Sequence, residues 1–222
     1  WIAPIGLLVS GAFLLSLLLL PPARAPRQLV YMLLGVLSPA VVFAVERGNN
    51  DLVLFTLAAV AATLASRSPA LRWIGYGAAL LAGLLKYYPM TLMLLASRER
   101  PVRFLAVAAA SAAVFLLLVA AMYSELTRTL QEIPTGPWFD DMFGSSTLGG
   151  GVSRLMDWSD GISVTIHVVM ALAAFAIGVA LGLRPRVGAA LHRLTELERN
   201  FLLASALLML GWFFTAQNIG YY

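Results

Sequence analysis

Cysteine is absent from this 222-residue chain, lysine occurs once, and charged residues make up only 12% of it. Without cysteine the chain has no disulfide, no thiolate metal site and no thiol nucleophile. A soluble domain averages about 25% charged residues, so the shortage of charge argues against a fold surrounded by water. The net charge of +4 reflects where the arginines lie, and it indicates membrane topology rather than nucleic-acid binding.

Long apolar runs fill the chain in place of charge. Hydrophobic residues make up 60% of it and the mean hydropathy is +0.85, whereas soluble domains average about 45–50% apolar residues. Runs of roughly 20 apolar residues recur along the whole length, as helices that cross a bilayer require. The sequence therefore predicts an all-α polytopic transmembrane helix bundle with seven to eight membrane segments, one short hairpin and one long outer loop.

The apolar runs also give the predicted order of the segments. Ser38-Pro39 lies within the second run and predicts a kink there, because proline removes a helix hydrogen bond. The long loop is predicted at Ser124–Asp160. We expect one transmembrane domain over residues 1–222, part of a longer chain, since neither end resembles a natural terminus. The predicted segments are Trp1–Leu20, Leu29–Val45, Asp51–Ser66, Leu71–Ser97, Val102–Met122, Ile162–Leu183 and Phe201–Ala216.

Leu71–Ser97 is too long for one ordinary span, and it carries Lys86 and Pro89 near its middle. Either one kinked helix crosses the membrane, or a helix ends near Lys86 and a short segment returns through Met90–Ala96. The arginines that follow at 98–103 belong with the other arginine loops by the positive-inside bias. An even number of crossings satisfies that bias, so the sequence favours a hairpin.

Charge is divided between two sides of the predicted bundle. The loops at 24–27, 67–72, 98–103 and 184–199 hold eleven arginines, and positive charge of this kind marks the cytoplasmic side. The opposite side holds the turn at 46–51, Lys86, the acidic long loop and the C-terminal tail. The two most unusual polar points of the chain are therefore predicted to share the outer face.

Glu46-Arg47-Gly48-Asn49-Asn50-Asp51 is the candidate functional site, together with Lys86. Charges beside membrane helices are costly to hold, and they mark functional sites by default. At headgroup depth, Arg47 and Lys86 could bind the phosphate of a lipid-linked ligand. A carboxylate there could act as a general base or bind a sugar hydroxyl or a divalent metal ion, although no metal site and no cofactor is assigned.

Simpler interpretations of the same residues are open. Lys86 could merely extend toward the interface, with Tyr87 and Tyr88 as an aromatic belt. Gly48-Asn49-Asn50 with Asp51 could be only a turn and a helix N-cap. A turn alone does not require Glu46-Arg47 as well, which favours the functional interpretation.

Other polar positions are weaker candidates. His167 lies in an apolar helix, where a hydrogen-bonded packing histidine is more common than a ligand. Asp140-Asp141 lacks further spaced carboxylates and is better explained as surface charge. The glycine-rich stretch 144–151 has neither the preceding strand nor the lysine of a P-loop, so we expect a flexible substrate loop there.

The order of these motifs resembles a bacterial family of polyprenol-phosphate-mannose-dependent mannosyltransferase-like proteins in the GT-C superfamily of membrane glycosyltransferases. The resemblance lies in Ser38-Pro39-Ala40-Val41 before the 46–51 turn and in Gly83-Leu84-Leu85-Lys86-Tyr87-Tyr88-Pro89 after it. Ser145–Leu155, which contains Arg154, looks like that family's loop before a late helix. Gln217–Tyr222, which contains Asn218, looks like its Asn-x-x-Tyr ending.

The resemblance implies an inverting transferase that takes a sugar from a polyprenyl-phosphate carrier at the outer face of the bacterial cytoplasmic membrane. It also implies that Asp51 and Lys86 line the cavity. The family's catalytic aspartate lies in the first outer loop, and this chain begins downstream of it. Alternatives are therefore a non-catalytic subunit packed against other membrane subunits, or a transporter of lipid-linked sugars, although the paired halves typical of transporters are not seen. The predicted catalytic residues are Asp51 and Glu46, and the predicted substrate-binding residues are Arg47, Asn49, Asn50, Lys86, Tyr87, Tyr88, Arg154 and Asn218.

Overall fold

The computed structural model describes residues 2–132, 142–143, 145–214 and 218–219. Within this part of the chain almost all residues are helical, which confirms the predicted all-α class. Short turns connect the helices, and the described residues also contain an antiparallel pair of two-residue strands, β1 (Met142–Phe143) and β2 (Asn218–Ile219). The helices are α1 (Ile2–Ser16), α2 (Pro26–Val36), α3 (Pro39–Arg47), α4 (Asn50–Ala65), α5 (Pro69–Leu85), α6 (Pro101–Ala121), α7 (Tyr123–Glu132), α8 (Ser145–Leu155), α9 (Asp160–Gly182), α10 (Pro185–His192) and α11 (Glu196–Phe214).

Three helices of the described residues are long and apolar enough to cross a membrane: α6, most of α9, and α11. Helices α2 and α3 form a fourth candidate span, bent by 45° at the break between them. The break falls at the predicted Ser38-Pro39 kink, where Ser38 Oγ accepts a hydrogen bond from the backbone of Val41. Shorter apolar helices cover 3–19, 50–65 and 69–85. The protein is therefore a multi-pass membrane protein, while the number of spans stays a prediction.

The chain divides into two compact units. The first unit contains the residues up to Arg98 together with Glu196–Leu207, and the second contains Glu99–Thr195 with Leu208–Gly220. The predicted single domain stays a prediction.

Small residues build the core of the first unit. Ala58, Ala61 and Ala62 of α4 are buried, as is Ala79 of α5. A Cβ atom added at Gly75 of α5 would lie 3.1 Å from the carbonyl oxygen of Ala61, so the two backbones touch. Close approach through small residues is how helices associate in a bilayer, where no hydrophobic effect drives them together.

Helix α5 ends at Leu85, and a 3-10 helix runs from Tyr88 to Arg98. This segment packs back against α5, because a Cβ atom at Gly83 would lie 2.9 Å from the Cα of Met90. Its 11 residues rise about 22 Å at roughly 2.0 Å each, which nearly matches the roughly 24 Å of the 16-residue α4. The described residues therefore form the hairpin that the sequence favours. Its returning segment is a 3-10 helix, which the sequence did not predict.

Helix α1 runs parallel to α4 in the first unit. Near the start of α1, Gly6 contacts Gly48, just before α4 begins. Further along, the rings of Phe13 and Phe55 meet edge to face with centroids 5.2 Å apart. Both contacts advance in the same direction along the two helices, so their N-terminal ends lie at the same end of the unit.

The second unit corrects one expectation. The glycine-rich stretch predicted as a flexible loop forms the helix α8 over Ser145–Leu155. A Cβ atom at Gly149 would lie 2.7 Å from the backbone oxygen of Ser163 in α9, so the missing side chain permits direct backbone packing. Tertiary contact of this kind overrides the low helix propensity of glycine. The predicted long loop also contains α7, while Asp140 and Asp141 lie outside the described residues.

Candidate functional site

The 46–51 turn joins α3 to α4 with a two-residue connection. Gly48 ends α3 in the left-handed conformation, with φ +58°, which glycine adopts without steric cost. Asn49 then caps α4, since its Oδ1 accepts a hydrogen bond of 3.2 Å from the backbone of Asp51. The turn and N-cap predicted from these residue types are both present.

Lys86 and Asp51 form an ion pair. Lys86 Nζ lies 2.5 Å from Asp51 Oδ1, and the two side chains are 37% and 35% exposed. The pair forms because Asp51 lies in the first turn of α4, while Lys86 leaves the end of α5 in an extended conformation. The structure thus brings together the two polar points that the sequence places on one face.

One tyrosine ring lies beside the ammonium group, and a second ring packs against the first. Lys86 Nζ lies 5.8 Å from the centroid of the Tyr88 ring, within cation–π range. The Tyr87 and Tyr88 rings contact each other edge to face at 6.3 Å. Pro89 is buried directly after them, which fixes where the chain turns back. We call Glu46–Asp51 and Lys86–Tyr88 together the polar cluster.

The other predicted residues of the turn are more exposed. Arg47 ends α3 with its guanidinium 4.0 Å from the centroid of the Phe43 ring, and it faces solvent, as do Glu46 and Asn50. The stacking leaves the guanidinium edge accessible for bidentate contact with an anion.

The remaining two predicted site residues belong to the second unit. Arg154 lies in the last turn of α8, and Asn218 is in β2, paired in register with Phe143. Each of them is described only within that unit, and their part in a common site stays a prediction.

The opposite end of the first unit holds arginines, and we call it the arginine end. The Arg98 guanidinium donates a hydrogen bond of 2.8 Å to the carbonyl oxygen of Ala65, the last residue of α4. Arg98 also forms an ion pair with Glu196. Arg24 pairs with Glu198 at 2.8 Å. Since Asp51 lies in the first turn of α4 and Ala65 ends the helix, the polar cluster and the arginine end are separated by about the length of that helix, roughly 24 Å.

A hydrogen-bonded group that sequence analysis missed lies in the second unit. Ser145 is fully buried, and its Oγ lies 2.9 Å from His167 Nδ1 and 3.0 Å from the carbonyl oxygen of Phe213. The sequence predicted a hydrogen-bonded histidine at 167 but offered no signal for its partner, which lies 22 positions away in a stretch expected to be a loop.

A metal-binding cluster of three or more His, Asp or Glu side chains is absent from the described residues. A comparison with curated proteins and one with solved structures each found no match. The family model of glycosyltransferase family 87 (GT87) matches residues 2–212, which is nearly the whole chain and includes both the polar cluster and α8. This multi-pass membrane protein therefore belongs to glycosyltransferase family 87.

Proposed function

We propose that the protein transfers a sugar, mannose by resemblance, from a polyprenyl-phosphate carrier at the outer face of the bacterial cytoplasmic membrane. The observation that carries the proposal is the Lys86–Asp51 ion pair at the end of the first unit opposite its arginines. Membership of a glycosyltransferase family supplies the reaction class, and the pair supplies a place for the donor's charge.

Lys86 binds the donor phosphate in this proposal. A membrane-embedded carrier holds its phosphate at the headgroup level, where α5 ends and Lys86 begins the turn. The Lys86 side chain is 37% exposed, and a partly desolvated cation attracts an anion more strongly than a cation in open water does. In the absence of donor, Asp51 serves as the counter-ion and keeps the ammonium in position.

The outer-face assignment follows from the two ends of the first unit. Arg24, Arg67 and Arg98 lie at or beside the arginine end, and short loops rich in arginine remain in the cytoplasm. The polar cluster, at the other end of α4, then faces the outer surface. A lipid-linked sugar on that surface would reach the lysine from the outer leaflet.

The other residues of the polar cluster have supporting roles. Arg47 adds a second cation, and Asn50 and the amide nitrogen of Asn49 supply donors for sugar or phosphate oxygens. Tyr87 and Tyr88 offer aromatic surface for the sugar ring. Arg154 and Asn218 are assigned to substrate by resemblance alone and belong to the second unit.

The chemical step needs a proton acceptor. The acceptor hydroxyl attacks the anomeric carbon, the bond to the carrier phosphate breaks, and the polyprenyl phosphate leaves with the bonding electrons while the hydroxyl proton passes to a base. Glu46 and Asp51 are the carboxylates of the polar cluster that can take this proton. The Asp51 carboxylate is in contact with Lys86, whereas Glu46 is exposed. Glu46 is therefore the carboxylate that an acceptor hydroxyl can reach more easily.

Transfer from polyprenyl-phosphate-mannose by the full-length protein tests the assignment. Lys86→Ala should raise the KM for donor by about ten- to a hundredfold, the cost of a charged hydrogen bond, and Lys86→Arg should recover part of it. Asp51→Asn should lower transfer because the lysine loses its counter-ion. Arg27→Ala, an exposed arginine on α2, is the control and should transfer normally. An unchanged KM for donor in Lys86→Ala together with unchanged transfer by Asp51→Asn, with normal expression of both variants, would refute the proposal.

A further inference from the structure

Ser145 joins three helices at one point of the second unit. Its hydroxyl contacts the imidazole of His167 in α9 and the backbone carbonyl of Phe213 near the end of α11. The serine is fully buried, so water does not compete for its single proton. The hydrogen-bond directions at this point are therefore decided by the three groups themselves.

Counting protons fixes the imidazole tautomer. A carbonyl oxygen only accepts hydrogen bonds, so the Ser145 hydroxyl donates to Phe213. A serine has one proton to donate, and the remaining contact at 2.9 Å requires His167 Nδ1 to be the donor. In the neutral ring, Nδ1 then carries the proton and Nε2 carries a lone pair.

The register between α8 and α9 holds the ring in place. Ser145 contacts His167, and Gly149, four residues later, packs at the backbone of Ser163, four residues earlier. Residues four apart lie on one face of a helix, so both contacts join the same two faces. A Cβ atom at Gly149 would lie 2.7 Å from the backbone oxygen of Ser163. The close packing of α8 on α9 therefore requires glycine at this position.

We infer that His167 Nε2 accepts a hydrogen bond from a sugar hydroxyl of the donor or the acceptor, with Ser145 as the positioning residue that fixes its tautomer. The choice of a sugar rests on the proposed function. Residues 161–182 of α9 contain no charged side chain, and no described residue donates to Nε2. A polar atom of this kind inside an apolar span marks a functional position.

The tautomer also selects the class of ligand. A lone pair on Nε2 attracts a hydroxyl proton and repels the oxygens of a phosphate dianion or monoanion. The Nε2 atom is thus complementary to a sugar hydroxyl rather than to a phosphate. Donor and acceptor are distinguished by measuring the KM for each.

Nitrogen NMR of protein labelled with ¹⁵N-histidine tests the tautomer without any substrate. The His167 signals are identified by their loss in His167→Asn, and spectra are recorded at about pH 8.5, above the roughly 6.5 at which histidine titrates in water. We expect a protonated Nδ1 and an unprotonated Nε2. Ser145→Ala should shift the ring toward the Nε2–H form, whereas Ser111→Ala, another buried serine, which donates within its own helix, should change nothing. An Nε2–H ring in the unmodified protein would overturn the inference.

Kinetics test the ligand contact. His167→Asn keeps a donor near the Nδ1 position and removes the acceptor, so its melting temperature should match that of the unmodified protein. Its KM for polyprenyl-phosphate-mannose or for an alkyl mannoside acceptor should rise about three- to tenfold, the cost of one neutral hydrogen bond, and His167→Gln should restore part of it. Unchanged KM values for both substrates would overturn the contact. Absence of transfer by the unmodified protein would refute the proposed function instead, and the tautomer measurement would still decide for or against His167.

Discussion

Gly48 is the residue on which the polar cluster depends most directly. It ends α3 with φ +58°, and a Cβ atom there would lie 2.8 Å from the Cα of Gly6 in α1. Two separate constraints, one torsional and one steric, thus require glycine at this position. Asn49 and Asp51 follow at once, so any shift of the turn also moves the carboxylate that pairs with Lys86.

Gly48→Ala should therefore destabilise the protein by at least about 1–2 kcal/mol, the cost of the left-handed conformation alone, and lower its melting temperature in detergent. Gly35→Ala is the matched control, since nothing lies within 4 Å of its added Cβ in α2. The control should be neutral or slightly stabilising. Equal melting temperatures for the two variants would show that the turn does not have this geometry.

Residue types in the sequence predicted much of the polar cluster. Asn, Asp and Gly are typical of caps and turns, and the lone lysine is conspicuous in an apolar chain. The ion pair needed one further inference, that the two points share a face, and the arginine distribution supplied it. The Ser145–His167 contact could not be predicted, because a serine in a glycine-rich stretch has no periodicity that links it to a distant helix.

At the scale of elements, the hairpin of α5 and the 3-10 helix brings Lys86 to Asp51. The charge pattern predicted the hairpin, but a seven-residue return would rise only about 10 Å as an α-helix. The observed returning segment begins two residues earlier and extends to Arg98. Because it is a 3-10 helix, it also rises further per residue than an α-helix does. Residue propensities do not predict such a long 3-10 helix, since 3-10 runs longer than three or four residues are uncommon.

The packing of α4 on α5 gives a prediction at this scale. Gly75→Leu should destabilise the first unit by about 1–3 kcal/mol through overpacking, because its Cβ would already lie 3.1 Å from the Ala61 oxygen. Gly77→Leu, two residues along the same helix, should be tolerated, since its Cβ meets nothing within 4 Å. Thermal unfolding of the two purified variants provides the comparison. A melting temperature lowered equally by both would contradict the interface.

At the scale of the whole molecule, the proposed reaction at the outer face depends on how the first unit is oriented in the bilayer. The first unit has a polar cluster at one end and arginines at the other. The family membership assigns a glycosyltransferase, and the lipid-linked donor and the outer face are our proposals from charge and geometry. If the lysine–aspartate pair faced the cytoplasm, a carrier in the outer leaflet would have no cation to meet within this unit.

The most direct test of this claim is the side of the membrane from which each end of the first unit can be labelled. The 222 residues contain no cysteine, so single thiols at Asn50→Cys or Tyr87→Cys report the polar cluster, and Arg67→Cys or Ser97→Cys report the arginine end. A membrane-impermeant maleimide added to intact bacterial spheroplasts should label the first two variants and label the other two only after permeabilisation. The reverse pattern, or labelling of all four from outside, would contradict an outward-facing lysine–aspartate pair.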